Sequence, residues 1–334
     1  MPAYIRQLGL DKSAGPIRRA LHYASYDWTR DMPKSKRLVT MTGLLIQGYA
    51  IYALWGRSLI WPLTWPTGPL LYVTVWMLYV LGYCVINAML TSEFLRKTQL
   101  ESDEMAAQQI QRTLQPDKVE PLSGYQLETF YEPLRAVGGD YFDVIELPGG
   151  RTLFVLADVS GKGMPAALLA SNIQALVRSI ANTDANPLAL AGQINKHLSR
   201  YTPSDRFATA VFIVLSRDSG ELTYVNAGHN PPMICSSGST ALLEATGLPL
   251  GLFASARYEA RIACIAPGGT LLLFTDGLTD SISGDIPQDR LRDAMAADPA
   301  RSLSNLITLV DPKLNEDDIA ILLLKRTANQ APPL

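Results

Sequence analysis

The residues best suited to chemistry in this 334-residue chain are aspartates at the ends of apolar runs. Asp158 closes "TLFVLAD" and is followed by "VSGKGMPAALLA". Asp140 and Asp143 follow a glycine pair in "VGGDYFDV", Asp276 and Asp280 lie just past the apolar run of "LLLFTDGLTD", and Asp317 and Asp318 precede that of "NEDDIAILLL". Taken singly, each reads as ordinary turn chemistry, because Asp-Gly and Asx clusters are common in loops. Taken together, carboxylates at the mouths of several buried strands can converge on one edge of a sheet. Adjacent bare carboxylates repel, so such a cluster needs a cation. Oxygen-only ligands select a hard ion, Mg2+ or Mn2+, over zinc. The three histidines lie far apart, and Cys84, Cys235 and Cys264 form no CxxC pair, so neither a zinc motif nor a disulfide framework is indicated.

The segment after Asp158 also raises the possibility of a phosphate cradle, since strand, glycine loop and helix can hold phosphate on a helix N-terminus. The spacing argues against it. A P-loop needs a hydroxyl residue after its lysine, and Lys162 is followed by Gly163. A dinucleotide loop needs three glycines, and "GKGMPA" lacks the third. A nucleotide hydrolase is correspondingly disfavoured.

Short apolar runs between turns must position these aspartates. "YQLETFYEP", "DYFDVIELP", "TLFVLAD", "ATAVFIVLS", "ELTYVNAG", "GTLLLFTD" and "DIAILLLKR" predict strands. Helices are predicted at about 164–181, 187–201, 288–297 and 301–310. Strands in consecutive runs with helices grouped between them predict an α+β fold with antiparallel sheets, not a doubly wound one.

The first third of the chain has a different character. Two apolar runs without charge, about 38–56 and 69–91, are each long enough to cross a bilayer as a helix. One central charge would cost about 2.5–3.5 kcal/mol on insertion scales, so two clean windows predict a transmembrane hairpin over 38–91. A cleaved signal peptide is not expected, because the first run begins far from Met1 and no small-residue cleavage site follows it. Arg18, Arg19, Arg30, Lys34, Lys36 and Arg37 precede the first run, Arg96 and Lys97 follow the second, and the loop between holds one arginine. The positive-inside rule then puts both termini in the cytoplasm. Residues 1–37 form a basic arm, 92–116 a linker helix and 328–334 a tail. Ala107, Ile110 and Leu114 give the linker an apolar stripe too short for a coiled coil but suited to docking on its own domain or to a homodimer contact. A net charge of −2 gives no general attraction to nucleic acid.

The soluble part resembles the SpoIIE/RsbU-like branch of the metal-dependent PPM protein serine/threonine phosphatases. The matching pieces occur in family order: "IQRTLQP", "VGGDYFDV", "ADVSGKGMPAALLA", "NAGHNPP", "LPLG", "FTDGLTD" and "DDIAILLL". The resemblance implies an αββα sandwich of two antiparallel sheets over 117–327, with two Mn2+ or Mg2+ ions at one edge. It implies that Asp158 bridges both ions, the Val159 carbonyl ligates one, Asp276 and Asp317 complete the first site, and Asp140 serves the second. It further implies hydrolysis of phosphoserine or phosphothreonine on a cytoplasmic protein, usually a STAS-domain antagonist of an anti-sigma factor, by a bacterial enzyme, which the predicted hairpin places in the inner membrane. A metal-binding signalling scaffold without turnover is the alternative. The chain departs from the family pattern at Gly269, where an acidic residue is usual, and at Asp280, where glutamate is common. Ser160 stands where distant members place a histidine that protonates the leaving group. His229 belongs to the pattern and is expected to be a satisfied loop histidine.

Overall fold

A computed structural model describes residues 68–114 and 121–327, apart from 204, 237–238, 284–286 and 298–300, together with Thr42, Gly43, Leu45, Gly48, Tyr49 and Tyr52. The chain divides into two compact units, 1–101 and 102–334. In the first, helix α1 begins at Gly68 and runs without a break to Leu114 in the second. The second predicted span and the linker are thus one helix. Its segment Val73–Arg112 has a window of mean hydropathy 1.8 and is the single helix among the described residues long and apolar enough to cross a membrane. The basic arm 1–37, the tail 328–334 and most of the first predicted span lie outside the described residues.

The second unit is a sandwich. One sheet has strand order β1 (Tyr125–Glu132), β10 (Ile319–Arg326), β9 (Thr270–Phe274), β6 (Met233–Ser236), β7 (Ser239–Leu242). The other has the order β2 (Tyr141–Leu147), β3 (Arg151–Val159), β4 (Ala208–Ser216), β5 (Glu221–Ala227), β8 (Arg261–Cys264). Every ladder is antiparallel. Helices α2 (Met164–Ala181) and α3 (Pro187–Tyr201) cover the second sheet, while α4 (Asp276–Asp280), α5 (Pro287–Ala297) and α6 (Ser302–Thr308) accompany the first. The α+β sandwich expected from the sequence is therefore the observed fold.

Strand periodicity builds this layering. Successive side chains point to opposite faces. In β3, Leu153, Val155 and Ala157 pack with Ile173 and Val177 of α2 and Ile194 of α3, whereas Phe154 and Leu156 face the other sheet. In β10, Ala320, Leu322 and Leu324 enter the inter-sheet core, whereas Ile321 and Leu323 meet Leu291, Met295 and Leu306 of α5 and α6. A strand buried on both faces must be apolar throughout, which is why these runs do not alternate with polar residues.

Candidate metal centre

The strand registers bring the predicted aspartates to the same end of each sheet. Tyr141 pairs with Ala157, so Asp140 before β2 and Asp158 near the end of β3 emerge side by side. Ile321 pairs with Phe274, so Asp276 after β9 and Asp317 before β10 do likewise. Local packing fixes these exits. The Thr275 hydroxyl accepts the Ala320 N–H at 2.9 Å, tying the turn before Asp276 to β10. Gly277 is obligatory for close approach, because a Cβ there would collide with the Asp318 carbonyl. A Cβ on Gly139 would lie 3.0 Å from the Val159 carbonyl oxygen and 3.2 Å from Ala166. The glycine lets that carbonyl, one of the predicted ligands, lie against the Asp140 loop.

The electrostatics are those of a crowded carboxylate cluster. Burial and repulsion from Asp276, Asp317 and Asp318 push the Asp158 carboxyl up to about 7, with Lys162 pulling it down. Burial, then repulsion from Asp158, Asp318 and Asp276, raises Asp140 well above the usual carboxylate range despite a hydrogen bond from Thr275. Asp276 is raised by burial, Asp317 and Asp280. Asp140 is 3% exposed, and its buried Oδ2 has no hydrogen-bond partner among the described residues. A buried carboxylate oxygen facing like charges without a donor is a costly arrangement that a cation relieves. The oxygen-only chemistry of these residues fits a hard divalent cation. Among the described residues no three of these side chains close on one point as a finished cage. They surround a common region from two sheets.

Neighbouring residues divide the labour. Asp318 faces away from its neighbour Asp317: its Oδ1 accepts the Leu134 N–H at 2.7 Å and its Oδ2 the Gly139 N–H at 2.6 Å. It holds the loop that carries Asp140. Asp143 leaves the cluster altogether, taking Arg178 Nε at 2.7 Å, the Tyr141 hydroxyl at 3.1 Å and the Val144 N–H at 2.9 Å. Ser160 is locked into the adjoining loop, with its Oγ accepting the Phe207 N–H at 3.0 Å and its carbonyl accepting from Arg206. His229 is buried beside Thr209 Oγ1, 2.8 Å from Nδ1, and burial lowers its pKa to about 4. It is neutral there, and the Phe274 backbone beside it partly offsets the effect of burial. Gly269 cannot be acidic here, since a Cβ would lie 2.6 Å from Ser236 Oγ and 2.9 Å from the Ala266 carbonyl oxygen.

Two contacts were missed in the sequence. Gln111 of α1 donates to the Gly138 carbonyl at 2.7 Å and accepts the Gly138 N–H at 3.1 Å. Lys162 Nζ lies 3.0 Å from Asp317 Oδ2 and also donates to the Glu316 carbonyl. The spacing that disqualified Lys162 from a P-loop gave no hint of a partner so far along the chain.

This geometry has relatives. The family profile of stage II sporulation protein E matches residues 148–327. The chain belongs to the SpoIIE family. It is 26% identical over 240 residues to phosphoserine phosphatase RsbU of Bacillus subtilis, covering 68% of this chain and 71% of that protein. It is 26% identical over 173 residues to phosphoserine phosphatase RsbP of the same organism, covering 50% of this chain but only 43% of RsbP. Among solved structures, the RsbU and RsbW domains of Rv1364c from Mycobacterium tuberculosis superpose with a TM-score of 0.55 at 27% identity, over 63% of this chain and 62% of that one. The SiaA-PP2C domain of Pseudomonas aeruginosa gives a TM-score of 0.59 at 20% identity, covering 69% of this chain and 98% of that one. The sandwich is thus a SpoIIE/RsbU-type PP2C phosphatase domain.

Proposed function

We propose that the protein is a membrane-anchored, metal-dependent phosphatase that hydrolyses phosphoserine or phosphothreonine on a cytoplasmic regulatory protein. A STAS-domain antagonist of an anti-sigma factor is the substrate class the resemblance favours. The observation that carries this reading is the meeting of buried Asp140 with half-buried Asp158 and Asp276 in one like-charged region with an orphaned carboxylate oxygen. Asp158, Asp276, Asp317 and the Val159 carbonyl would hold one ion, and Asp158 with Asp140 the other. Such a pair of divalent ions supplies a water activated near neutral pH and neutralises charge on the phosphoryl oxygens. The chain's own residues orient that site. Asp318 and Gln111 hold the loop before Asp140 from two sides. The Ser160 hydroxyl, held by the Phe207 N–H, lacks the readily exchanged proton that an imidazolium carries near neutral pH, which leaves protonation of the leaving group to solvent.

The apolar part of α1, with the uncharged run at 38–56, supports anchoring as a hairpin in the bacterial inner membrane with the phosphatase domain cytoplasmic. The Gln111 contact supports a linker that transmits membrane or dimer state to the loop of Asp140. The test is phosphate release from a phosphoserine STAS-domain protein by the full chain in bilayer nanodiscs, with Mn2+, Mg2+ or EDTA. Release should require Mn2+ or Mg2+ and fall at least about a hundredfold in Asp158→Asn, in keeping with loss of a bridging ligand. A folded chain that binds Mn2+ yet releases no phosphate would instead support the scaffold.

A further inference from the structure

We infer that Lys162 is a tethered cation that competes with the divalent ion for Asp317 and thereby lowers the metal affinity of the site. The inference rests on the metal-dependent reading above. Its ground is geometric. The Lys162 ammonium lies 3.0 Å from Asp317 Oδ2, on a carboxylate that the metal site requires. A second bond to the Glu316 carbonyl holds the ammonium at that end of β10. Its charge also offsets the mutual repulsion at Asp158 and Asp276, so it faces the same region as the ions would.

The loop is built to present this lysine. Ser160 is anchored through its N–H to the Phe207 carbonyl at 2.9 Å and through its Oγ to the Phe207 N–H. Gly161 and Gly163 on either side of Lys162 both have left-handed backbones, with φ of 94° and 74°, which a residue with a Cβ adopts only with strain. The side chain is 41% exposed, so the ammonium can leave Asp317 for water when a divalent ion arrives. One carboxylate oxygen cannot serve both cations at full strength, and a nearby positive charge repels an incoming dication.

Removing the charge should therefore have opposite effects on two properties. Without metal, the carboxylate cluster loses its counter-charge and the protein becomes less stable. With metal, the ion no longer competes and binds more tightly. A lysine of merely structural value would weaken both when lost. A lysine that serves only the substrate's phosphoryl group would change neither in the absence of substrate.

The experiment is a titration of the full chain with Mn2+ in nanodiscs of uncharged lipid, following free Mn2+ by electron paramagnetic resonance. Thermal unfolding in EDTA is measured alongside. Lys162→Met and Lys162→Gln should each bind Mn2+ about tenfold more tightly than wild type, with a lower melting temperature in EDTA. Lys162→Arg should restore the wild-type affinity. Equal or weaker Mn2+ binding by both neutral variants, with wild type binding normally, overturns the role of Lys162 and leaves the metal-site reading intact. A wild-type chain that binds no Mn2+ overturns both.

Discussion

Asp317 and Asp318 are adjacent, chemically identical and close to the same cluster, yet the structure gives them different work. That difference can be measured. Asp318 accepts the N–H groups of Leu134 and Gly139 at 2.7 and 2.6 Å and is 8% exposed. In Asp318→Asn, one oxygen becomes an amide donor, so one of those N–H groups loses its acceptor and meets a donor instead. A hydrogen bond to a charged group contributes about 1.5–3 kcal/mol, and a buried unpaired donor costs about 1–3 kcal/mol. The local penalty is about 2–4 kcal/mol, which leaves a typical domain folded but loosens the 134–139 loop. Hydrogen exchange reads this directly, because local opening follows the local free energy. At a factor of ten per 1.4 kcal/mol, amides in the segment 134–140 should exchange roughly thirty-fold to several hundred-fold faster. Asp317→Asn should leave that segment's exchange nearly unchanged and weaken Mn2+ binding instead. Exchange within twofold of wild type in Asp318→Asn, together with lost Mn2+ binding, would refute the division and make Asp318 a ligand.

Two further outcomes follow from the same geometry. Asp158, Asp140 and Asp276 all have carboxyls raised by burial and mutual repulsion, Asp158 to about 7. Between the unfolded value near 4 and about 7 the folded protein binds the extra protons, so stability in EDTA should fall as pH rises from 5 to 7.5, by about 1–4 kcal/mol. Saturating Mn2+ should remove that fall, and a melting temperature in EDTA that climbs steadily over this range would contradict the cluster. Gln111→Leu breaks both hydrogen bonds to Gly138 and should cut phosphate release by the full chain about fivefold or more, with a change in stability of about 1–2 kcal/mol. Wild-type turnover in that variant would show that the linker does not act through Gly138.

Much of this was legible in the sequence because the long strands are buried on both faces. β3, β4 and β10 read as unbroken apolar runs, and helices α2 and α3 occupy the predicted residues. The short elements were not legible. β6, β7 and β8 have four residues each, and β7 and β8 are largely exposed, so neither length nor alternation marks them. α4 is a five-residue turn that starts at Asp276 and looks like a loop in sequence. The last turns of α1 meet the sandwich through Gln111 and Gly138, a contact that no pattern in the linker marks. At the site, residue types located the acidic cluster, but only the register separates Asp317 from Asp318. Asp143, in the same motif as Asp140, is turned toward Arg178 by the alternation of β2. Lys162 and Gln111 depend on contacts between distant segments, which no local pattern encodes.

The site is also a joint between the two sheets. Asp140 and Asp158 belong to the sheet of β2 and β3, and Asp276 and Asp317 to the sheet of β9 and β10. The two ions of the proposed site, sharing Asp158, would therefore tie the two sheets together at one edge, where burial and like charge oppose closure in their absence. The loop before Asp140 is gripped from the second side by Asp318 and from the linker by Gln111. On the proposed metal-site reading, a shift of the linker would change how well Asp140 meets the other carboxylates, and with it metal affinity. By linkage the converse would hold: metal binding would favour the linker position that brings Asp140 in, by the same free energy. A signal arriving through α1 then needs no contact with the substrate. It would need only to shift the occupancy of the proposed metal site.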